Sequence, residues 1–371
     1  MQPERFVIDI ADEVLDDLRR RLQSTRWPRD LGNDQWSYGF NADYLRSLVQ
    51  TWLDDYDWRS SERLMNGFDH YRVTINETPI HFMREPGRGP DPIPLLLSHG
   101  WPSTFWDMQK VIGPLTDPAA FGGDPADAFE VIVPSLPGFG FSTPAPRAGV
   151  NASRTADLLQ TLMTEVLGFE RYAASGGDWG GRVTAELGHK YASSLYGVHL
   201  LGATPLDLFN GERWWDITST LVPYETPAVI RKTALEGLTH IVSHAAVQTV
   251  EPQTLAYAMH DSPAGQLAWI TQRWRDWGET GGNVESVFPR EFLLTTSMLY
   301  WVTESFVSSV RYYGDAVRHP WRPAHGRSPC VEAPTGITFL GGENPPGVTT
   351  DTRVAAFLAT PAAASDRLSG I

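Results

Sequence analysis

Within residues 11–23, Val14, Leu15, Leu18 and Leu22 recur at helical spacing, and Leu45, Leu48, Val49 and Leu53 repeat the pattern within 43–56. Two amphipathic helices are therefore predicted ahead of any sheet. Over 70–75 and 79–83 the period shortens toward two, with Asn76-Glu77 at the bend, which predicts a hairpin. Two largely apolar runs follow, Pro94-Leu95-Leu96-Leu97 and Phe129-Glu130-Val131-Ile132-Val133, each ending in a Gly- and Pro-rich loop. Such runs suit strands buried on both faces of a parallel sheet. Residues 154–167 are helix-patterned, and RYAASGGDWGGRVTAELGHKY passes from a short strand through a Gly-rich turn into a helix. Val198–Leu201 supplies one more strand. From about 205 to 320, Trp-rich helical stretches punctuated by proline replace strands, until PTGITFLGG (334–342) restores one. The pattern predicts an α/β fold with a mostly parallel central sheet. A helical arm covers 1–68, the first part of the core 69–204, a helical lid 205–320, and the C-terminal part of the core 321–371.

The length of 371 residues fits a large domain carrying a substantial insertion. A formal net charge of -14 repels nucleic acid and anionic membrane surfaces, so neither is expected as a partner. The lone Cys330 makes no internal disulfide and no zinc site, and a reducing, cytoplasmic setting is expected. The N-terminus lacks an apolar signal region, and no window approaches the roughly 18 apolar residues of a membrane span. Neither a Walker motif nor a dinucleotide Gly fingerprint is found, so no cofactor and no metal is expected. The 14 Trp and 16 Phe residues supply rings that fill cores and also line sites for bulky apolar ligands.

The sharpest chemical feature is Gly176-Gly177-Asp178-Trp179-Gly180. It has the small-x-nucleophile-x-small spacing of a nucleophile elbow, with Asp where ester hydrolases carry Ser. A strand-to-helix turn that tight leaves no room for side chains at its flanks, and it projects the apex residue above the sheet. Asp178 at a helix N-terminus would be held as an anion ready to attack carbon; the competing reading is a surface Gly-rich turn. Leu95-Leu96-Leu97-Ser98-His99-Gly100-Trp101-Pro102 weighs against that competitor, because the loop after this strand can supply one backbone N–H of an oxyanion hole. The two donors would be the amides of Trp101 and Trp179, while His99 is read as a structural hydrogen-bonding residue and not as a base. PSLPGFGFS (134–142) follows the next strand and borders the same region.

HGWP, PSLPGFGFS, GGDWG, PQTLAYAMHDSPAG and LLTTSMLYW together resemble the microsomal-type epoxide hydrolase family in its soluble bacterial branch. The resemblance extends over most of the chain, including the N-terminal segment FVIDIADEVLDDLRRRLQSTRWP, and implies an α/β-hydrolase fold. GITFLGGENPPGV further resembles epoxide hydrolases of enediyne antibiotic pathways, which would place the chain in secondary metabolism or detoxification.

What the resemblance implies is a two-step reaction on a small-molecule epoxide and water. Asp178 attacks an epoxide carbon, while two residues of the lid, usually tyrosines, donate to the epoxide oxygen. Tyr300 in SMLYW matches one of those positions. The other is held by His244, a departure, and a neutral imidazole N–H can still donate to oxygen. Trp101, Phe105, Trp179 and Trp301 are the expected substrate-lining rings. The resulting ester then needs a water activated by a histidine that an acid orients. Glu343, just past ITFLGG, matches the position of that acid. The family's histidine lies further downstream, whereas the last histidine here is His325, so the expected behaviour is an ester on Asp178 that hydrolyses slowly. A haloalkane-type dehalogenase with the same Asp nucleophile, and a non-catalytic binder that has lost its base, are the competing functions. A homodimer is the default for a soluble enzyme and rests on no particular residue.

Overall fold

The computed structural model describes residues 1–145, 148–202, 205–211, 213, 215–222, 224, 226–340, 354 and 357. Eight strands form one sheet: β1 (Glu4–Phe6), β2 (His70–Ile75), β3 (Thr78–Glu85), β4 (Ile93–Ser98), β5 (Phe129–Pro134), β6 (Tyr172–Gly177), β7 (Leu195–Leu201) and β8 (Thr335–Thr338), in the order β1-β2-β3-β5-β4-β6-β7-β8. The strands from β5 through β4, β6 and β7 to β8 run parallel, and the β1-β2-β3 edge is antiparallel. The β2–β3 bend is the predicted one. Asn76 and Glu77 both take positive φ, 48° and 65°, the two-residue geometry that matches the twist of a hairpin.

The N-terminal arm comprises β1 and three helices, α1 (Asp12–Gln23), α2 (Ala42–Asp54) and α3 (Trp58–Met65). α1 and α2 lie where the apolar spacing predicts them and bury Leu18, Leu22, Leu48, Val49 and Trp52. α3 is legible only with its partners in view, because its inward face carries a carboxylate. Glu62 accepts from the Ile10 amide at 2.9 Å, the Trp58 indole at 3.0 Å and Arg59 at 2.6 Å. A buried charge is tolerated when its lone pairs are satisfied in this way.

Helices α4 (Gln109–Thr116), α5 (Ala152–Thr161) and α6 (Asp178–Lys190) belong to the strand crossovers. Between β7 and β8 the chain leaves the sheet for α7 (Thr218–Leu221), α8 (Ala228–Val250), α9 (Pro252–Asp261), α10 (Pro263–Trp277), α11 (Arg290–Val302) and α12 (Phe306–Arg318). The arm grips this insertion. Arg21 pairs with Asp261 at 2.6 Å, Tyr56 and Thr295 share a hydrogen bond at 3.0 Å, and Arg290 donates to Thr51 at 2.9 Å.

The adjacent ends of β4 and β6 place the chemistry, with Ser98 in register with Gly176. α6 leaves β6 so steeply that a Cβ on Gly180 would lie 2.1 Å from the Ser98 carbonyl oxygen, and one on Gly176 would lie 2.5 Å from the Gly180 carbonyl carbon. Backbone on backbone leaves nothing to yield. Gly180→Ala is accordingly expected to cost about 3 kcal/mol, read as a lower urea midpoint with an unchanged slope; a variant as stable as the parent would contradict this packing.

Candidate active site

Asp178 is the first residue of α6 and has φ 52°, a left-handed conformation rare for a non-glycine residue. Its carboxylate is buried. Oδ1 accepts the Trp101 amide at 2.8 Å, and the Trp179 amide also donates to the side chain. Burial pushes its pKa up to about 6; the two amides and the Arg182 guanidinium oppose that rise. A Cβ on Gly100 would sit 2.3 Å from Asp178 Oδ1, so the β4 loop reaches the carboxylate only because it carries glycine there. Both predicted amide donors, those of Trp101 and Trp179, are thus brought to one carboxylate.

His99 fastens this loop. Its Nε2 accepts the Leu136 amide at 3.1 Å, which leaves Nδ1–H to donate to the Gly100 carbonyl at 2.9 Å. Burial lowers its pKa to about 4, so the ring is neutral with both nitrogens committed. It ties the loop after β4 to the loop after β5.

Aromatic rings wall the carboxylate. Trp179 stacks on Phe209 with centroids 5.3 Å apart, and Trp101 stacks on His244 at 5.3 Å with planes 6° apart. Tyr313 stands edge-on to both indoles, 4.9 Å from Trp179 and 6.1 Å from Trp101. Its phenol pKa is driven well above the ordinary value, first by burial and next by the negative charge of Asp178. His244 Nε2 lies 3.1 Å from the Tyr313 hydroxyl. Tyr313 was not singled out from the sequence. In the run Arg311-Tyr312-Tyr313 the neighbouring Tyr312 is buried too, but its hydroxyl is taken by Thr155 at 2.5 Å. Spacing on a helix face cannot separate two adjacent tyrosines; only their partners can.

Three further residues expected at the site meet other partners in the structure. Tyr300 is buried close enough to feel the Asp107 and Asp178 charges, but its hydroxyl donates to the Ser103 carbonyl at 3.2 Å and so braces the β4 loop. Phe105 is not a site ring. It is fully buried on the other core, packed edge-on against His70 and His81 with centroids 5.8 Å and 4.9 Å away. Trp301 lies under Arg21, whose guanidinium is 5.8 Å from its centroid, on the wall of a cleft of about 1090 Å³ between the arm and the insertion. Tyr300 and Tyr312 also line this cleft, which does not include Asp178. Glu343 falls outside the described residues.

Comparisons with known proteins establish the family and the fold. The epoxide hydrolase N-terminus family matches residues 3–108, and the alpha/beta hydrolase fold family matches residues 93–303. Epoxide hydrolase 1 of Oryctolagus cuniculus is 32% identical over 357 residues, covering 90% of this chain and 76% of its own. The chain belongs to the microsomal-type epoxide hydrolase family. A protein of Stigmatella aurantiaca named as an epoxide hydrolase is 39% identical over 308 residues, 83% of this chain and 68% of the relative. The crystal structure of juvenile hormone epoxide hydrolase from Bombyx mori superposes with a TM-score of 0.75 at 25% identity, covering 95% of this chain and 84% of that one. The fold is that of the α/β hydrolases, as expected from the motifs, and the family's reaction class is hydrolysis at epoxide ether bonds. Among the described residues no helix is long and apolar enough to cross a membrane.

Proposed function

We propose that this enzyme opens a bulky apolar epoxide to a vicinal diol through a covalent ester on Asp178, beneath the α7–α12 insertion acting as a lid. The observation that carries the proposal is the buried Asp178 carboxylate, held through Oδ1 by the Trp101 amide, with Tyr313, edge-on to two indoles, near enough for the carboxylate charge to act on its phenol. An epoxide has a poor leaving group, so ring opening needs a nucleophile on carbon and an acid on oxygen together. Asp178 supplies the first and the Tyr313 hydroxyl the second. When water attacks the ester, the Trp101 and Trp179 amides are already aimed at the acyl oxygen that becomes negative. Glu343 remains the proposed acid for orienting a histidine base in that second step; no histidine follows it in the sequence, so slow hydrolysis of the ester is expected. The aromatic walls support a bulky apolar substrate, and styrene oxide is a suitable probe.

Acid quenching after one turnover, followed by intact-mass and peptide mapping, tests the ester. The expected result is the mass of one substrate added to the peptide bearing Asp178. Diol formed in labelled water that takes its new oxygen directly from solvent in the first turnover would show that no ester forms. The raised Asp178 pKa sets the pH dependence: the protonated acid does not attack, so the alkylation rate should climb as pH rises through about 6 and level off above it. Stopped-flow alkylation at constant ionic strength, giving a rate flat between pH 4 and 8, would contradict that assignment.

A further inference from the structure

We infer that His244 is a positioning residue that acts through Tyr313: its Nε2–H donates to the phenol oxygen, leaving the phenol's own proton directed at the epoxide oxygen. This rests on the reading of Asp178 as nucleophile and goes further in giving the chain a single acid on oxygen with an imidazole behind it.

The imidazole is held in a box. Trp101 covers one face at 5.3 Å with planes 6° apart, Trp277 meets it edge-on at 4.9 Å, and the Trp277 indole is itself fastened to the Ile241 carbonyl at 3.1 Å. Within that box Nε2 has one neighbour, the Tyr313 hydroxyl at 3.1 Å. Nδ1 lies near the Ile241 carbonyl, but no well-directed hydrogen bond is formed there. That carbonyl already accepts the Trp277 indole. A buried N–H without a partner is costly, so the proton belongs on Nε2, where an oxygen awaits it. Burial and the Arg273 charge keep the ring neutral, with a pKa of about 3, so it enters the reaction with one proton only.

The phenol oxygen is thereby surrounded for the charge it would acquire. The Trp179 indole lies edge-on to the ring with centroids 4.9 Å apart, and the Arg273 guanidinium favours the phenol's anion, against the opposing influence of Asp178. In the step itself, an Asp178 carboxylate oxygen forms a bond to an epoxide carbon, and the C–O bond breaks toward oxygen. That oxygen takes the Tyr313 proton. The tyrosinate left behind is held by the His244 Nε2–H. Hydrolysis of the ester by one water releases the diol, regenerates the Asp178 carboxylate and returns one proton to Tyr313. At the position where the family usually presents a phenol to the substrate, this chain has His244, whose observed bond is to Tyr313.

The test uses the full chain, with styrene oxide and acid-quenched single turnovers read by intact mass. His244→Phe should slow ester formation by about tenfold to a hundredfold, less than the loss of a general acid itself, with little change in substrate affinity. His244→Gln, which keeps an N–H donor, should recover most of the rate. Replacing Tyr313 by a ring-fluorinated, more acidic tyrosine should restore part of the rate in the His244→Phe background and little in the parent. A ring that merely fills space would give a loss indifferent to phenol acidity, and that result would overturn the inference. So would an unchanged or faster rate in His244→Phe, since Tyr313 would then be donating to the imidazole instead. No ester in the parent chain would sink the Asp178 reading itself, which distinguishes the two failures.

Discussion

Asp178→Asn is expected to abolish ester formation, with a fall of at least about 10⁴ in single-turnover rate, while making the protein more stable at neutral pH. The first half follows from the chemistry: an amide does not attack an epoxide carbon, and loss of a covalent nucleophile removes the pathway. The second follows from linkage. The folded-state pKa of Asp178 is raised from 3.8 to about 6, so the folded protein prefers the protonated acid. That contribution to stability is fully present below the unfolded value and is lost as pH rises through about 6. At pH 8 the ionised carboxylate therefore opposes folding by about 2 to 3 kcal/mol. Asparagine removes the charge, and it tolerates the φ of 52°. Urea melts at pH 8 and pH 4 provide the check: the Asp178→Asn variant should have a higher midpoint than the parent at pH 8 and lose that advantage at pH 4. A destabilised variant at pH 8 would mean that the carboxylate is a structural anion held by the two amides.

The second large effect separates two tyrosines. Tyr313→Phe should slow alkylation by about 10² to 10⁴, the range for a general acid aimed at a leaving oxygen. Tyr300→Phe should cost less than about tenfold, because its hydroxyl is spent on the Ser103 carbonyl and its removal leaves one acceptor unpaired. That loss should appear in stability more than in rate. Single-turnover kinetics on both variants decides the matter. If the order is reversed, the acid is Tyr300 and the edge-on placement of Tyr313 is packing.

Much of this was legible in the chain because the tight parts are dictated by sterics. Gly100, Gly176 and Gly180 are small where backbone meets backbone or carboxylate, and that need survives translation into a pattern of letters. The hairpin at Asn76-Glu77, the helices α1 and α2 and the apolar strands β4 and β5 were legible for the same reason: local geometry and burial leave a period. β1, three residues long, leaves none, and α3 hides a buried Glu62 behind a polar pattern. Tyr313, the proposed donor to the epoxide oxygen, is not legible because Tyr300, Tyr312 and Tyr313 are alike as letters and differ only in what their hydroxyls meet: Ser103, Thr155 and His244. Phe105 packs into the second core and Trp301 lies on the arm-side face of α11, because nearness to a motif in sequence does not say which way a ring points.

The grip of the N-terminal arm has a mechanical corollary. A cover joined to its base at only two points can swing like a door, but this one is also pinned along a third edge by Arg21–Asp261, Tyr56–Thr295 and Arg290–Thr51. If the insertion moves as the proposed lid, these three contacts must break or travel with it, so a change at Arg21, Tyr56 or Thr51 in the first sixty residues should alter the entry of reactant without touching the carboxylate.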